Sequence, residues 1–273
     1  MVKILFIGDI FGKPGRHAVR EVVPRLRREH SLDLVIGNGE NAAEGRGISV
    51  RLAKELFESS VDFLTSGNHI WHSHDIYPYM NEAGCRLIRP ANLPATAPGK
   101  GWGIAETKKG VRVAVINIIG QIFMPQQADS PLNALDRVLD EVHDEADVLI
   151  VDMHAEATSE KRAMGWYADG RIQVCVGTHT HVQTADEEIL PKGCAYITDL
   201  GMTGPYNSVI GQEKEAVLKR FRTSLPVKKF EVANGDVRLC GAIVEIDEAG
   251  KRAVSIKRIC EKIPDTVSSQ WPK

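Results

Sequence analysis

Several short segments of the chain place an Asp, Glu, Asn or His directly after an apolar run, often beside glycine. They are Gly8-Asp9, Gly39-Glu40-Asn41, Gly67-Asn68-His69, Met153-His154, Thr178-His179-Thr180-His181 and Thr198-Asp199. Because ligands of an open α/β sheet bind at the carboxyl ends of its strands, we expect these side chains to converge. Carboxylate, amide and imidazole groups together suit Mn, Fe or Zn better than Ca or a metal that prefers thiolates. The pattern predicts metal-assisted chemistry, with a phosphate ester as the expected substrate.

The pair His179 and His181 carries the most specific metal signal. Side chains alternate with a period of two along an extended chain, so both imidazoles are expected to face one centre. With them, the candidate metal ligands are Asp9, Glu40, Asn41, Asn68, His154, His179 and His181. This set exceeds the four ligands of one tetrahedral site and suggests two ions that share a bridging carboxylate. Such a pair clamps the attacking and leaving oxygens during displacement at phosphorus.

Each residue taken alone has a structural alternative. Asp9 could be a helix N-cap, and His154 a hydrogen-bonded core histidine. Asp199 could orient a ligand histidine or serve as an ordinary turn residue. The segment 37–42 also matches the dinucleotide pattern GxGxxA, but it follows the second predicted strand and carries Glu40 where a pyrophosphate would bind. The combination of residues therefore favours the metal site.

The composition gives little indication of binding partners. The 273 residues carry a net charge of −2, which gives no electrostatic case for stable nucleic-acid binding. The five cysteines are widely spaced and never form CxxC, which is typical of a reducing compartment. The N-terminal segment lacks the features of a signal peptide, and no run approaches the roughly 20 apolar residues of a membrane span. We therefore expect a cytoplasmic protein without a membrane segment, and the sequence is compatible with a homo-oligomer.

The apolar periodicity predicts a single α/β domain over residues 1–273 with two sheets. Predicted strands lie at 3–8, 33–37, 61–65, 111–119, 147–153, 172–177 and 194–200, and predicted helices at 16–29, 49–59 and 131–145. The Pro- and Gly-rich stretch 90–103 predicts a long loop. The alternation after about Val227 predicts antiparallel strands.

Together the motifs resemble the calcineurin-like metallophosphoesterase superfamily, and more closely its YmdB-like branch of bacterial cyclic-nucleotide phosphodiesterases. The matching segments are 8–16, 37–43, 66–71, 152–161, 177–186 and 198–205. The chain departs from the general superfamily at three motifs. Phe11 stands where Asp-x-His is usual, Glu40-Asn41 where Asp-x-x-Asp is usual, and Ile70 where an acid usually follows GNH. These departures match the YmdB-like branch, in which Asn41 would replace the missing histidine.

The resemblance implies a fold, a cofactor and roles for individual residues. The implied fold is a double β-sheet sandwich flanked by helices, in four αββα layers. The implied metal sites are Asp9, Glu40, Asn41 and His181 for one ion, and Asn68, His154 and His179 with the bridging Glu40 for the other. His69 is implied as the general acid that protonates the leaving oxygen, while a metal-bridging hydroxide attacks. The expected cofactors are two divalent or trivalent ions, Fe or Mn, with Zn as the alternative.

The expected substrate is a small cyclic nucleotide. The loops 69–74, 155–161 and 201–206, which should surround the metals, offer only Lys161 as an obvious cation. A monoester would normally need an Arg or Lys clamp for its second charge, so a diester is favoured. The alternatives are a metal-dependent phosphomonoesterase and a metal- and nucleotide-binding regulatory module with little turnover. For the aromatic side chains Trp71, Trp166 and Tyr167, stacking on a base and ordinary packing are both open.

Overall fold

The computed structural model describes residues 1–142, 144–227 and 230–264. The strands are β1 Val2–Ile7, β2 Asp9–Ile10, β3 Leu34–Asn38, β4 Phe63–Thr65, β5 Trp102–Glu106, β6 Arg112–Ile119, β7 Val148–His154, β8 Val174–Thr178, β9 Glu188–Ile189, β10 Ala195–Ile197, β11 Met202–Pro205, β12 Val237–Asp247 and β13 Arg252–Lys262. The α-helices are α1 Gly12–Glu29, α2 Val50–Glu58, α3 Ile76–Met80, α4 Pro131–Val142, α5 Thr158–Ala168 and α6 Lys214–Thr223. None of these helices is long and apolar enough to cross a bilayer.

The described strands form two sheets. In the first, the neighbours run β2-β11-β12-β1-β3-β4, and β13 pairs with β12. In the second, the order is β5-β6-β7-β8-β10-β9. The strands β1, β3 and β4 are parallel, as are β6, β7, β8 and β10. Their carboxyl ends carry the segments that were predicted to supply metal ligands, so the topology gathers those segments at one edge.

Period-two alternation in the strands builds three apolar layers. On β1, Ile4 and Phe6 point between the sheets, where they join residues such as Val115 and Ile150 of the second sheet. Leu5 and Ile7 face the opposite way, toward α1 and α2. The outer face of the second sheet packs in the same manner against α4 and α5. This arrangement is the αββα sandwich that the family resemblance implied, and that prediction is confirmed.

Every predicted strand and helix between residues 3 and 200 has a counterpart in the structure. The predicted helix 16–29 begins earlier, at Gly12, and the predicted loop 90–103 gives way to strand β5 at Trp102. The helices α3, α5 and α6 were not predicted. The antiparallel strands expected near the carboxyl end are β12 and β13, which pair from Arg238 opposite Lys262 to Asp247 opposite Arg252.

This C-terminal hairpin supports the amino-terminal strand. β12 pairs with the whole of β1, from Val2 opposite Ile246 to Ile7 opposite Gly241. The next amide, that of Gly8, donates to the Cys240 carbonyl over 3.0 Å. The backbone that carries Asp9 is therefore held by residues more than 200 positions later in the chain.

Candidate active site

The seven predicted ligands come together at the carboxyl edge of the two sheets. The most closely spaced of them are Glu40, His154 and His179, whose ligand atoms all lie within 4.8 Å of one another. Gly67 makes this possible on the side of β4, because a Cβ atom there would lie 2.2 Å from the His154 ring. The glycine of the Gly67-Asn68-His69 segment thus lets the loop pass directly over the imidazole.

Glu40 occupies the centre of the group. Its side chain is fully buried, and its Oε2 accepts a hydrogen bond from the His69 amide over 2.8 Å. Its Oε1 lies 3.1 Å from His154 Nε2 but has no hydrogen-bond partner among the described residues. Burial raises the pKa of Glu40, against the lowering effect of His69. A buried carboxylate oxygen without a donor is costly unless a cation satisfies it.

A chain of hydroxyl groups fixes the orientation of His154. Asp152 accepts hydrogen bonds from the hydroxyls of Thr178 over 2.7 Å and Thr65 over 2.5 Å. The Thr178 hydroxyl has one proton, which it donates to Asp152. The Thr178 oxygen therefore accepts a hydrogen bond from His154 Nδ1, 2.9 Å away. The lone pair of Nε2 therefore faces Glu40 Oε1 and Asn68 Oδ1, which lies 2.8 Å from Nε2. Three acceptors that point at one another fit a bound cation.

The histidines of this group favour the neutral, ligating form. Burial lowers the pKa of His154 to about 4 and that of His179 to about 3. The Nδ1 atom of His179 lies 3.1 Å from His154 Nε2. Burial also raises the pKa of Asp152 to about 7, against its hydrogen bonds from Thr65 and Thr178.

The second half of the site contains Asp9, Asn41 and His181. His181 Nδ1 donates to the Ile210 carbonyl over 3.0 Å, which leaves the Nε2 lone pair 3.7 Å from Asp9 Oδ1. The Asn41 amide nitrogen lies 3.1 Å from that Nε2 and 3.4 Å from Asp9 Oδ1. Oδ1 of Asn41 is buried and has no partner among the described residues. Asp9 is also buried, and burial raises its pKa. The donor set again fits a cation.

The prediction that the segment from His179 to His181 has an extended backbone was wrong. β8 ends at Thr178, and the backbone φ angles of His179 and His181 are 102° and 64°. The two imidazoles converge on the site through this left-handed turn and not through strand alternation. Asp199 stabilises the turn, because its Oδ2 accepts from the Thr180 amide over 3.0 Å and from its hydroxyl over 2.7 Å. Asp199 is thus more than a plain turn residue, although its bonds go to Thr180 and not to a histidine ring.

Lys161 is not available as the cation of the site entrance. Its side chain is buried, and its Nζ lies 2.6 Å from Asp199 Oδ2. The described residues that line the cleft do include two arginines, Arg46 and Arg220. Neither arginine was predicted, because both lie outside the loops that were expected to surround the metals. The premise that positive charge is scarce around the metals was therefore wrong.

His69 lies beside the ligand group and faces the cleft. The cleft has a volume of about 510 Å³ and is also bounded by Glu40, Asn41, His179 and His181. The ring of His72 packs edge-on against His69, with 4.8 Å between the centroids. Burial lowers the pKa of His69 to about 4, while Glu40 acts in the opposite direction. The position suits a proton donor at the mouth of the site.

The aromatic residues considered from the sequence do not line this cleft. Trp71 packs edge-on against Tyr77, and Trp166 lies under the Arg162 guanidinium. Among the described residues, the phenylalanines that line it are Phe11, Phe221 and Phe230. Asp152 was also missed, although an aspartate inside an apolar strand, two positions before His154, could have indicated a buried hydrogen-bonding role.

This sandwich, with its cluster of acids, amides and histidines at one edge, defines the metallophosphoesterase class of phosphoric ester hydrolases. A family model for YmdB-like proteins matches residues 5–259, and the chain belongs to that family. A Bacillus subtilis 2′,3′-cyclic-nucleotide 2′-phosphodiesterase is 47% identical over 258 residues, which cover 94% of this chain and 96% of the relative.

Two solved structures are similar over nearly their whole length. A hypothetical protein from Thermus thermophilus has a TM-score of 0.89 and 42% identity, and the match covers 96% of this chain and 100% of that one. A structure described as a novel phosphatase from Mycoplasma pneumoniae has a TM-score of 0.87 and 35% identity, with 97% and 96% coverage. Both support the same fold and family.

Proposed function

We propose that the protein is a di-metal phosphodiesterase that hydrolyses cyclic nucleotides. The observation that carries the proposal is the convergence of His154 Nε2 with Glu40 Oε1 and Asn68 Oδ1, where the buried Glu40 oxygen has no hydrogen-bond partner among the described residues. The name of the Bacillus subtilis relative supports the substrate class. The cleft, at about 510 Å³, is large enough to hold a mononucleotide.

The ligands divide into two sets around Glu40. Asp9, Glu40, Asn41 and His181 would hold one ion, and Glu40, Asn68, His154 and His179 the other. Oxygen and imidazole donors without a thiolate suit Fe or Mn, and also permit Zn. When bound, such ions lower the pKa of water and offset charge on the phosphoryl oxygens.

His69 is proposed as the general acid. In the metal-free protein its imidazole is neutral at pH 7, because its pKa lies at about 4. A phosphate anion beside the ring would raise that pKa, since an opposite charge favours the imidazolium. The imidazolium N–H would then give its proton to the leaving oxygen. The Asp152-Thr178 chain keeps the His154 tautomer fixed throughout.

The exposed side chains of Arg46 and Arg220 supply positive charge for the phosphate. These cations can accept a diester or a monoester, so the preference for diesters rests on the relative and not on charge. A metal-dependent phosphomonoesterase therefore remains the alternative function.

The decisive measurement compares kcat/KM on 2′,3′-cyclic AMP, 3′,5′-cyclic AMP, 3′-AMP and 5′-AMP. It uses protein reconstituted with Mn²⁺ or Fe²⁺, with the metal content determined on the same sample. We expect the highest value on a cyclic substrate and no turnover after chelation. A preference for a mononucleotide would overturn the diesterase assignment. Bound metal and bound nucleotide without turnover would instead support the regulatory module.

A further inference from the structure

One wall of the cleft contains neither a proposed metal ligand nor the proposed proton donor. Helix α6 contributes Val217, Arg220 and Phe221 to it, and Phe230 follows from the segment after the helix. Residues 217, 220 and 221 are spaced i, i+3 and i+4, which places them on one face of the helix. We call these four residues the α6 wall.

The α6 wall keeps an aromatic ring exposed at the entrance. Phe221 is 79% exposed, and Val217 is the buried residue of the helix. The Arg220 guanidinium lies 5.6 Å from the centroid of the Phe230 ring, a cation–π contact that holds the arginine over the cleft. An exposed aromatic ring at the mouth of a cleft is available to stack on a planar ligand such as a base.

A polar side chain without a partner lies in the same cleft. Gln212 also lines it, and the Gln212 Oε1 atom is buried with no hydrogen-bond partner in the described part of the chain. A buried amide oxygen that lacks a donor is costly, and a ligand N–H can satisfy it. The carbonyl of the nearby Ile210 accepts from His181, so this loop is joined directly to the proposed metal site.

We propose that the α6 wall and Gln212 form a nucleobase subsite. This inference rests on the proposed function, which supplies a nucleotide as the occupant. Phe221 stacks on the base, and Arg220 faces its edge or the phosphate. Gln212 pairs with a base edge that offers a donor beside an acceptor, because a carboxamide carries one acceptor and one donor group.

The test compares substrates that share one reacting group. These are 2′,3′-cyclic AMP, 2′,3′-cyclic UMP and methyl riboside 2′,3′-cyclic phosphate, which has no base. We expect Phe221→Ala to lower kcat/KM on cyclic AMP by about tenfold, the order found when a stacked aromatic is removed, with no change on the base-free ester. Gln212→Leu should lower kcat/KM on both nucleotides and leave the base-free ester unchanged.

Leu218→Ala is the matched control. Leu218 is 59% exposed on the same helix but is not part of the cleft lining, so its removal tests for a general effect on α6. Equal losses in Phe221→Ala and Leu218→Ala, or equal losses on the nucleotide and the base-free ester, would overturn the subsite. Wild-type protein that hydrolyses both esters equally well would overturn it also, and would leave the phosphodiesterase function intact.

A binding measurement tests the proposed nucleobase subsite independently of the proposed phosphodiesterase activity. If the wild-type protein hydrolyses none of the esters, the proposed function fails. Calorimetric titration with 3′-AMP and with methyl riboside 3-phosphate then decides the subsite alone. Weaker binding of 3′-AMP to Phe221→Ala, with unchanged binding of the base-free phosphate, supports the inference, and unchanged binding of 3′-AMP contradicts it.

Discussion

The ammonium group of Lys161 lies 2.6 Å from Asp199 Oδ2, and the exposed fractions of the two side chains are 1% and 0%. The same carboxylate oxygen accepts from the backbone and the hydroxyl of Thr180. One buried ion pair therefore connects α5 to the turn that carries His179 and His181. The lysine neutralises a carboxylate that would otherwise be buried without a counter-charge.

Replacing Lys161 with Met should lower the free energy of unfolding by about 3–5 kcal/mol, because Asp199 is left as an unpaired buried charge. The double variant Lys161→Met with Asp199→Asn should recover part of this loss. Urea unfolding of the metal-free proteins measures both. Lys109→Met is the control, since Lys109 is exposed and its pair with Asp33 should contribute at most about 1 kcal/mol. A loss no larger than that of the control would contradict the role of the pair.

Glu40→Gln should abolish metal binding and activity together. The substitution keeps the shape of the side chain but removes the charge shared by both proposed ions, so its effect should exceed that of Asp9→Asn or His179→Ala. Elemental analysis of the purified variants gives the metal content. Glu141→Gln, on the exposed face of α4, is the control. Full metal content in Glu40→Gln would exclude the bridging role.

His69→Ala should keep its metal while kcat falls by about 10²–10⁴-fold, the usual contribution of a general acid. The decrease should be smaller on nitrophenyl esters, whose leaving groups need little protonation. Rate measurements on good and poor leaving groups test this. His74→Ala, in the same loop and exposed, should behave like the wild type. An equal decrease on all substrates would indicate a binding or structural role for His69.

Asp152→Asn should weaken metal binding by about 10–100-fold, as is usual when a group that orients a ligand histidine is lost. Asparagine can donate to Thr178, which then no longer needs the His154 Nδ1 proton, and the Nε2 lone pair is no longer fixed. Competition with a fluorescent chelator measures the affinity. Asp136→Asn, at an exposed carboxylate that pairs with Arg171, serves as the reference. Unchanged affinity in Asp152→Asn would show that the hydroxyl chain is dispensable.

Cys260 should be the most reactive of the thiols at neutral pH. A hydrogen bond from the Cys240 thiol, 3.4 Å away, and the Arg238 guanidinium lower its pKa to about 6. Because the thiolate is the reactive form, alkylation by iodoacetamide should rise as the pH increases through 6 and level off above 7. Peptide mass spectrometry follows each cysteine, and Cys85, whose pKa burial raises, is the internal reference.

In the Cys240→Ala variant the donated hydrogen bond is gone, so the midpoint of Cys260 alkylation should move to higher pH. Cys194→Ala, which removes another buried thiol, is the control. An unchanged midpoint in Cys240→Ala would mean that the neighbouring thiol has no part in the lowered pKa.

The sequence was most informative where local pattern and chemistry coincide. The strands β1, β3, β7 and β8 are apolar runs that end at a polar ligand, so both the element and its functional residue could be read from the same few positions. All of the predicted ligands lie together in the structure for this reason. The αββα layers followed from the family resemblance.

What the sequence did not reveal depends on contacts between distant elements. Lys161 looked like a free cation because its partner Asp199 lies 38 positions later. Helix α6 has one buried residue, Val217, so its periodicity gave little indication that Phe221 faces a cleft. The His179 and His181 backbone departs from strand geometry because tertiary bonds to Asp199 and Ile210 hold the turn.

The antiparallel hairpin of β12 and β13 also bears on how the protein is made. A ribosome that has passed His181 has already synthesised every proposed ligand, yet β1 still lacks the neighbour that pairs with it through residues 241–246. At about 5–20 residues per second, several seconds separate these two stages of translation. During that interval the nascent chain holds its ligands on an incomplete sheet. Metal capture by the complete site should therefore wait until β12 has been synthesised and has paired with β1.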